Sequence, residues 1–189
     1  FDASVAQLAR LYDAEFMLER PQAEWHACLV ESGQVSFELF APYQWLTNAR
    51  YGPHHVGLEY QADVDEVRAA IAERGIRITR DIGVAVHTHP ADCFGVAFEF
   101  YGGYFHDNDW ALLGGSKIKS PAYWRDEHPL GLTGLKAYTV AFHDIEAAED
   151  FFRGFVGGQR GDEATRPAVA GRGIVLQVAD EVVVLVAPT

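Results

Sequence analysis

The stretch that decides the fold reads Pro53-His54-His55-Val56-Gly57-Leu58-Glu59-Tyr60. From position 55 onward it has the composition of a β-strand, and a segment with apolar residues at helical spacing follows at 64–73. Three shorter strand-like segments come next, at 76–78, 84–87 and 96–101. The predicted order of elements is therefore strand, helix, strand, strand, strand, and we call this unit a βαβββ module.

The same order of elements recurs on both sides of this module. After it, the pattern predicts a strand, a helix and two further strands at 135–142, 144–155, 173–178 and 181–186. Before it, the pattern predicts a helix and three strands at 3–12, 15–19, 25–30 and 35–40, without an opening strand. We therefore predict an α+β fold of three repeated modules, divided at 1–52, 53–133 and 134–189.

Composition excludes several classes of protein. The 189 residues carry a formal net charge of −12, which argues against a nucleic-acid groove or an anionic membrane surface as partner. Two cysteines are too few for a disulfide framework, and no apolar run approaches the roughly 20 residues of a membrane span. With no signal peptide visible in the sequence, we expect a cytoplasmic protein.

Two acidic residues stand in the middle of apolar strands. Glu38 lies between Phe37 and Leu39, and Glu99 lies between two phenylalanines. A buried carboxylate is costly without a partner, so we predict that both glutamates bind a metal ion. His55, at the start of a strand, is the candidate imidazole ligand. His87 and His89 are two positions apart and could share one face of a strand, although such residues more often lie at the rim of a loop.

Two motifs resemble a known family. They are His54-His55-Val56 and His89-Pro90-Ala91-Asp92-Cys93-Phe94-Gly95-Val96-Ala97-Phe98-Glu99. Together with the repeat, they resemble the vicinal oxygen chelate superfamily, which includes glyoxalase I, extradiol dioxygenases and the fosfomycin and bleomycin resistance proteins. The local likeness is to methylmalonyl-CoA epimerase. The resemblance implies curved, mostly antiparallel sheets around a cavity, with four inward positions that bind one divalent metal.

Residue by residue, the resemblance assigns His55, Glu99 and Glu38 to three of the four metal positions, while the fourth would precede Phe1. In the third module the matching positions are Ala137 and Val184, which cannot bind a metal, so that module is expected to be metal-free. His26 falls near the position of the catalytic glutamate of the epimerases. The candidate proton-transfer groups are therefore Glu38, Glu99 and His26.

The resemblance implies a metal-dependent isomerase, epimerase or lyase that acts through a metal-stabilised enolate of a small oxygenated substrate. The ligand set suits Zn, Mn, Co, Ni or Fe(II) and does not select among them. One alternative is an Fe(II) extradiol ring-cleavage dioxygenase, which would require a second histidine ligand. Another is a non-catalytic small-molecule binding protein of the resistance type. A homodimer is a further expectation.

Overall fold

The computed structural model describes residues 2–23, 25–33, 35–42, 55–60, 63–102, 114–116, 119–161 and 173–187. Contacts divide the chain into two compact units, of which unit 1 comprises Phe1–Tyr51 with His106–Leu135 and unit 2 comprises Gly52–Phe105 with Lys136–Thr189. Among the described helices, none has the length and apolarity needed to span a bilayer.

The described chain contains three α-helices and eleven strands. The helices are α1 (Asp2–Tyr12), α2 (Val64–Glu73) and α3 (Ile145–Gly154). The strands are β1 (Glu15–Pro21), β2 (Trp25–Ser32), β3 (Val35–Pro42), β4 (His55–Tyr60), β5 (Ile78–Asp81), β6 (Ala85–Thr88), β7 (Ala97–Gly102), β8 (Tyr138–Ala141), β9 (Gln159–Arg160), β10 (Gly173–Val178) and β11 (Glu181–Val186).

Unit 2 contains the same module twice. Its two four-stranded sheets have the strand orders β4-β7-β6-β5 and β8-β11-β10-β9, so in each sheet the first strand of the module pairs with the last. That pairing is parallel in both sheets, and the other pairings are antiparallel. The predicted α+β fold with repeated βαβββ modules is thereby confirmed.

The helices of unit 2 begin at aspartate caps. The carboxylate of Asp63 accepts a hydrogen bond from the Asp65 amide at the start of α2, and Asp144 accepts one from the Ala147 amide at the start of α3. Such caps satisfy amides that have no partner within the helix. Each helix then turns an apolar face inward, which in α2 consists of Val67 and Ile71.

One apolar core lies between the two modules of unit 2. Alternate residues of β7, Phe98 and Phe100, enter this core together with the phenylalanines of α3 and apolar residues of β10 and β11. Because neighbouring strand residues point to opposite faces, the residue between these two phenylalanines, Glu99, points away from the core. The core thus fixes which face of the β4-β7-β6-β5 sheet carries polar side chains.

Unit 1 is built on the antiparallel sheet β1-β2-β3. The described part of 114–135 belongs to this unit and includes a short π-helical segment, Tyr123–Glu127. Inside the unit, the indole nitrogen of the buried Trp124 donates a hydrogen bond to Glu31 Oε1 at 3.0 Å, and the Lys119 amide donates to Glu31 Oε2 at 3.1 Å. Glu31 itself is only 1% exposed, so these donors hold a buried carboxylate.

Replacing Trp124 with phenylalanine should destabilise unit 1, because the Glu31 carboxylate loses a buried donor. A hydrogen bond to a charged group contributes roughly 1.5–3 kcal/mol, so we expect a loss of at least that size in urea unfolding. The matched control is Trp25→Phe, since Trp25 is only half-buried and stacks on Phe40. This role of Trp124 would be contradicted if the two variants lost the same free energy of unfolding to within about 0.5 kcal/mol.

Some predicted boundaries differ from the structure. The strand predicted at 76–78 is found at Ile78–Asp81, because the Arg77 amide and guanidinium bind Asp92 instead of joining the sheet. The strand predicted at 135–142 is shortened to Tyr138–Ala141, and Gly134 before it has a positive φ of 115°. The predicted second module includes residues 106–133, whereas the contacts place these residues in unit 1. The division of the chain into three modules remains a prediction.

Candidate metal centre

Three potential metal ligands lie on adjacent strands of the β4-β7-β6-β5 sheet. His55 begins β4, His87 lies in β6, and Glu99 lies in the strand between them, β7. In the sheet register, Glu99 is paired with His87 on one side and with Gly57 on the other, while His55 is two residues before Gly57. Residues that pair or alternate in this way share a face, so all three side chains project from the face opposite the core.

The side chains converge. His55 Nε2 is 3.3 Å from Glu99 Oε2, and His87 Nε2 is 3.6 Å from Glu99 Oε1. The two imidazole rings lie 5.4 Å apart, centroid to centroid, with an interplanar angle of 78°. One ligand atom from each of the three residues lies within 4.8 Å of the others. Among the described residues, this is the group of histidines, cysteines and acids that is close enough to hold a metal ion.

The surroundings favour the ionised form of Glu99. Burial by itself raises the pKa of this carboxyl group, but the hydrogen bond with His55 and the positive charges of His87, His55 and Arg80 act in the opposite direction. The net effect is a pKa below the ordinary value for a glutamate. The side chain is 18% exposed, so the carboxylate is largely withdrawn from water while remaining accessible to a small ligand.

The residues fit a divalent transition metal. Ligand atoms bound to one ion at about 2.0–2.2 Å stand roughly 3–3.5 Å apart, and His55 Nε2 lies 3.3 Å from Glu99 Oε2, while His87 Nε2 lies 3.6 Å from the other oxygen, Oε1. Two imidazoles and one carboxylate are the ligand types that non-haem Fe(II) uses, and the same ligand types also bind Zn, Mn, Co or Ni. His55, His87 and Glu99 would hold such an ion through one side of its coordination sphere.

The structure brings together two of the predicted ligands, His55 and Glu99; their binding of a metal remains a prediction. Glu38 lies on β3 in unit 1, paired with Leu29, and its side chain is exposed. His26 lies on β2 in the same unit, with its Nε2 2.8 Å from Glu19 Oε1. The roles predicted for Glu38 and His26 also remain predictions, and His54 lies outside the described residues.

His87 is the residue that sequence reasoning did not select as a ligand. The sequence paired it with His89, but the structure separates the two: His89 caps a short 3₁₀ turn at Pro90–Asp92 and accepts a hydrogen bond from the Ala91 amide at 3.1 Å. His87 instead lies within β6, directly opposite Glu99. One sequence signal could have identified His87 as a ligand: His87 and Glu99 are polar residues in two apolar strands that follow each other along the chain.

The third module has apolar residues at the equivalent positions. Val184 on β11 pairs with Val175 and with Thr139, just as Glu99 pairs with His87 and Gly57. Ala137 precedes Thr139 by two residues, the same separation as between His55 and Gly57. The two sheets of unit 2 thus share one architecture, and in the described residues only the first of them carries the candidate metal ligands.

Comparison with known proteins gave matches among solved structures alone. No protein-family model matches the chain. No curated protein matches it either. Methylmalonyl-CoA epimerase from Mycobacterium tuberculosis is 16% identical, with a TM-score of 0.44 over 55% of this chain and 80% of that one.

Two further structures match at similarly low identity. A methylmalonyl-CoA epimerase in complex with methylmalonyl-CoA and NH4+ is 22% identical, with a TM-score of 0.45 over 56% of this chain and 88% of its own. The fosfomycin resistance protein FosX from Listeria monocytogenes is 16% identical, with a TM-score of 0.25 over 56% and 84% of the two chains. Methylmalonyl-CoA epimerase and FosX are both members of the vicinal oxygen chelate superfamily, whose motifs the sequence resembles.

Proposed function

We propose that this protein is a metal-dependent enzyme that acts on a small oxygenated substrate, with one divalent cation held by His55, His87 and Glu99. The observation that carries the proposal is the convergence of three ligand atoms within 4.8 Å on one face of a sheet. A carboxylate largely withdrawn from water beside two imidazoles is costly as a purely structural arrangement, and a shared cation would offset that cost.

The reaction we propose is an isomerisation, epimerisation or lyase reaction through an enolate. A bound divalent cation would supply Lewis-acid stabilisation of negative charge on a substrate oxygen. His55, His87 and Glu99 would hold the cation, and three protein ligands would leave coordination positions for substrate. Gly57 is the sheet partner of Glu99, and a Cβ atom at this position would lie 3.9 Å from Glu99 Oε2, in ordinary van der Waals contact.

Proton transfer at carbon requires an acid or base within hydrogen-bond reach of the substrate. Glu99 has two carboxylate oxygens, one near each imidazole, so one can bind the cation while the other takes a proton. Glu38 and His26 are the further groups that we propose for this role from the sequence resemblance. Substitution of His26 should reduce turnover without lowering affinity for the metal, whereas substitution of Glu38, which is also a predicted metal ligand, should lower both.

A second candidate reaction is ring cleavage by an Fe(II) extradiol dioxygenase. This reaction requires two histidine ligands, and His87 is a second histidine beside His55, with ring centroids 5.4 Å apart. The facial arrangement of two histidines and one carboxylate is the set used by non-haem Fe(II) oxygenases. The presence of His87 is the specific observation that favours this candidate.

Two assays on the metal-loaded protein distinguish the reactions. The protein is loaded in turn with Mn, Co, Ni, Zn and, without air, Fe(II). We expect metal-dependent exchange of deuterium from solvent into the carbon next to the carbonyl of a 2-oxo acid or an acyl thioester, detected by NMR and abolished in Glu99→Gln. Oxygen uptake with a catechol on the Fe(II) protein would instead support the dioxygenase. Metal binding without either reaction would indicate a non-catalytic binding protein.

A further inference from the structure

An arginine lies beside the candidate metal centre and has no role in holding the cation. Arg80, on β5, is paired with His87 in the sheet register, and His87 is paired in turn with Glu99. The three residues therefore form a row across three adjacent strands. Cross-strand partners project from the same face of a sheet, which places Arg80 on the face that carries His55, His87 and Glu99.

The neighbouring residue supports this orientation independently. Asp81 follows Arg80 and accepts two hydrogen bonds from the guanidinium of Arg68, both at 2.7 Å. Arg68 belongs to α2, which packs on the core face of this sheet through Val67 and Ile71. Since consecutive strand residues point to opposite faces, Asp81 on the helix side puts Arg80 on the side of the metal centre.

The positive charge of Arg80 acts electrostatically on Glu99. Its guanidinium is one of the positive groups that lower the pKa of Glu99, although burial acts against them. A guanidinium stays charged at every physiological pH, and its planar donors match the two oxygens of a carboxylate. With a divalent cation bound, the positive charges at this face exceed the negative charges of Glu99 and of the exposed Glu59, which lies on the same face.

We propose that Arg80 binds a carboxylate of the substrate next to the oxygen bound by the metal, so that this protein takes small oxygenated acids as its substrates. This inference rests on the proposed function, because it presupposes a cation at His55, His87 and Glu99. It explains how a protein of net charge −12 gathers a small anion, since the local positive charge at this face opposes the overall charge.

The test compares two small probes on the Co(II)-loaded protein. Acetoacetate carries a ketone and a carboxylate, and acetoacetamide is its uncharged counterpart of nearly the same shape. Binding is followed by calorimetry and by the visible absorption of the cobalt. A charge-assisted hydrogen bond predicts that the protein binds acetoacetate about 10- to 100-fold more tightly than acetoacetamide. In Arg80→Gln this preference should fall by about 10-fold or more, leaving only the preference due to the cation itself, and in Arg80→Lys the fall should be smaller.

The control variant is Arg153→Gln. Arg153 is an exposed arginine on α3 of the same unit, and its partner Glu149 is also held by Arg160 at 2.7 and 2.8 Å. This variant removes the same charge from unit 2 and should keep the full preference for acetoacetate. Cobalt affinity and circular dichroism, measured for every variant, show whether the fold and the metal centre are intact.

The outcomes separate the two proposals. If cobalt binds with unchanged affinity but Arg80→Gln keeps the preference for acetoacetate, the role of Arg80 is overturned and the metal centre stands. The role of Arg80 is overturned in the same way if the unaltered protein shows no preference. If the unaltered protein binds no cobalt, the proposed function fails, and the role of Arg80 fails with it.

Discussion

His87→Ala will lower the affinity of the protein for a divalent cation by at least about 100-fold. Substituting a residue that only orients a metal ligand commonly lowers metal affinity about 10- to 100-fold. Removing a ligand that binds the ion directly should lower that affinity further. His55→Ala and Glu99→Gln should have effects of the same size, because all three side chains contribute one ligand atom to the same cluster. The measurement is competition with a chromophoric chelator, together with elemental analysis of the purified protein.

The control for this series is His143→Ala. His143 is an exposed residue of the same unit, so the variant removes an imidazole without touching the candidate centre. It should keep the metal affinity of the unaltered protein. The His87 variant is the decisive member of the series, since His87 was found through the structure. If it bound metal as tightly as the unaltered protein, the cation would not be held by His55, His87 and Glu99.

Phe98→Ala will lower the free energy of unfolding of unit 2 by roughly 3–5 kcal/mol, the usual cost of emptying a buried phenylalanine site. Phe98 is 2% exposed and lies at the middle of the core between the two modules. Its ring is 5.3 Å from that of Phe151 and 5.7 Å from that of Phe152, so its loss removes contacts between the β7 strand and α3. Denaturant unfolding followed by circular dichroism measures the change.

Phe16→Ala provides the comparison for this prediction. Phe16 is 50% exposed and lies in unit 1, so its replacement should cost less than about 1 kcal/mol. Because the side chain of Phe98 points away from Glu99, the Phe98 variant should still bind metal at temperatures where it remains folded. A loss below about 1 kcal/mol in Phe98→Ala would show that the two modules are not joined through this core.

The candidate centre adds one residue, His87, to the predicted ligands, while Glu38 as a ligand remains a prediction. The sequence assigned them to two modules, with Glu38 beside His55 and Glu99. The structure places His55, His87 and Glu99 in a single module, and Glu38 lies in the other unit. A metal centre whose ligands all lie on one sheet can form as that sheet folds. The correct pairing of three adjacent strands is enough to bring these ligands together.

The sequence determined the order of elements and several of their bounds. It predicted β10 and β11, at 173–178 and 181–186, at their observed positions, and likewise β4 and α2. Those signals are local: side chains alternate along a strand, and apolar residues recur three or four apart along a helix. Glu99 was found in the same way, because a carboxylate between two phenylalanines is unusual wherever the strand lies.

Only the tertiary structure decided which further residues join Glu99. His87 faces Glu99 because the turn after β6, with positive φ at Phe94 and Gly95, sets the pairing of β6 with β7. Arg80 faces the same side because the register shifts between Ile78 and Arg80, which places it opposite His87. A shift of one residue turns every following side chain to the other face of a sheet. The register shift in β5 depends on contacts between strands, so it cannot be predicted from composition or from residue spacing along the chain.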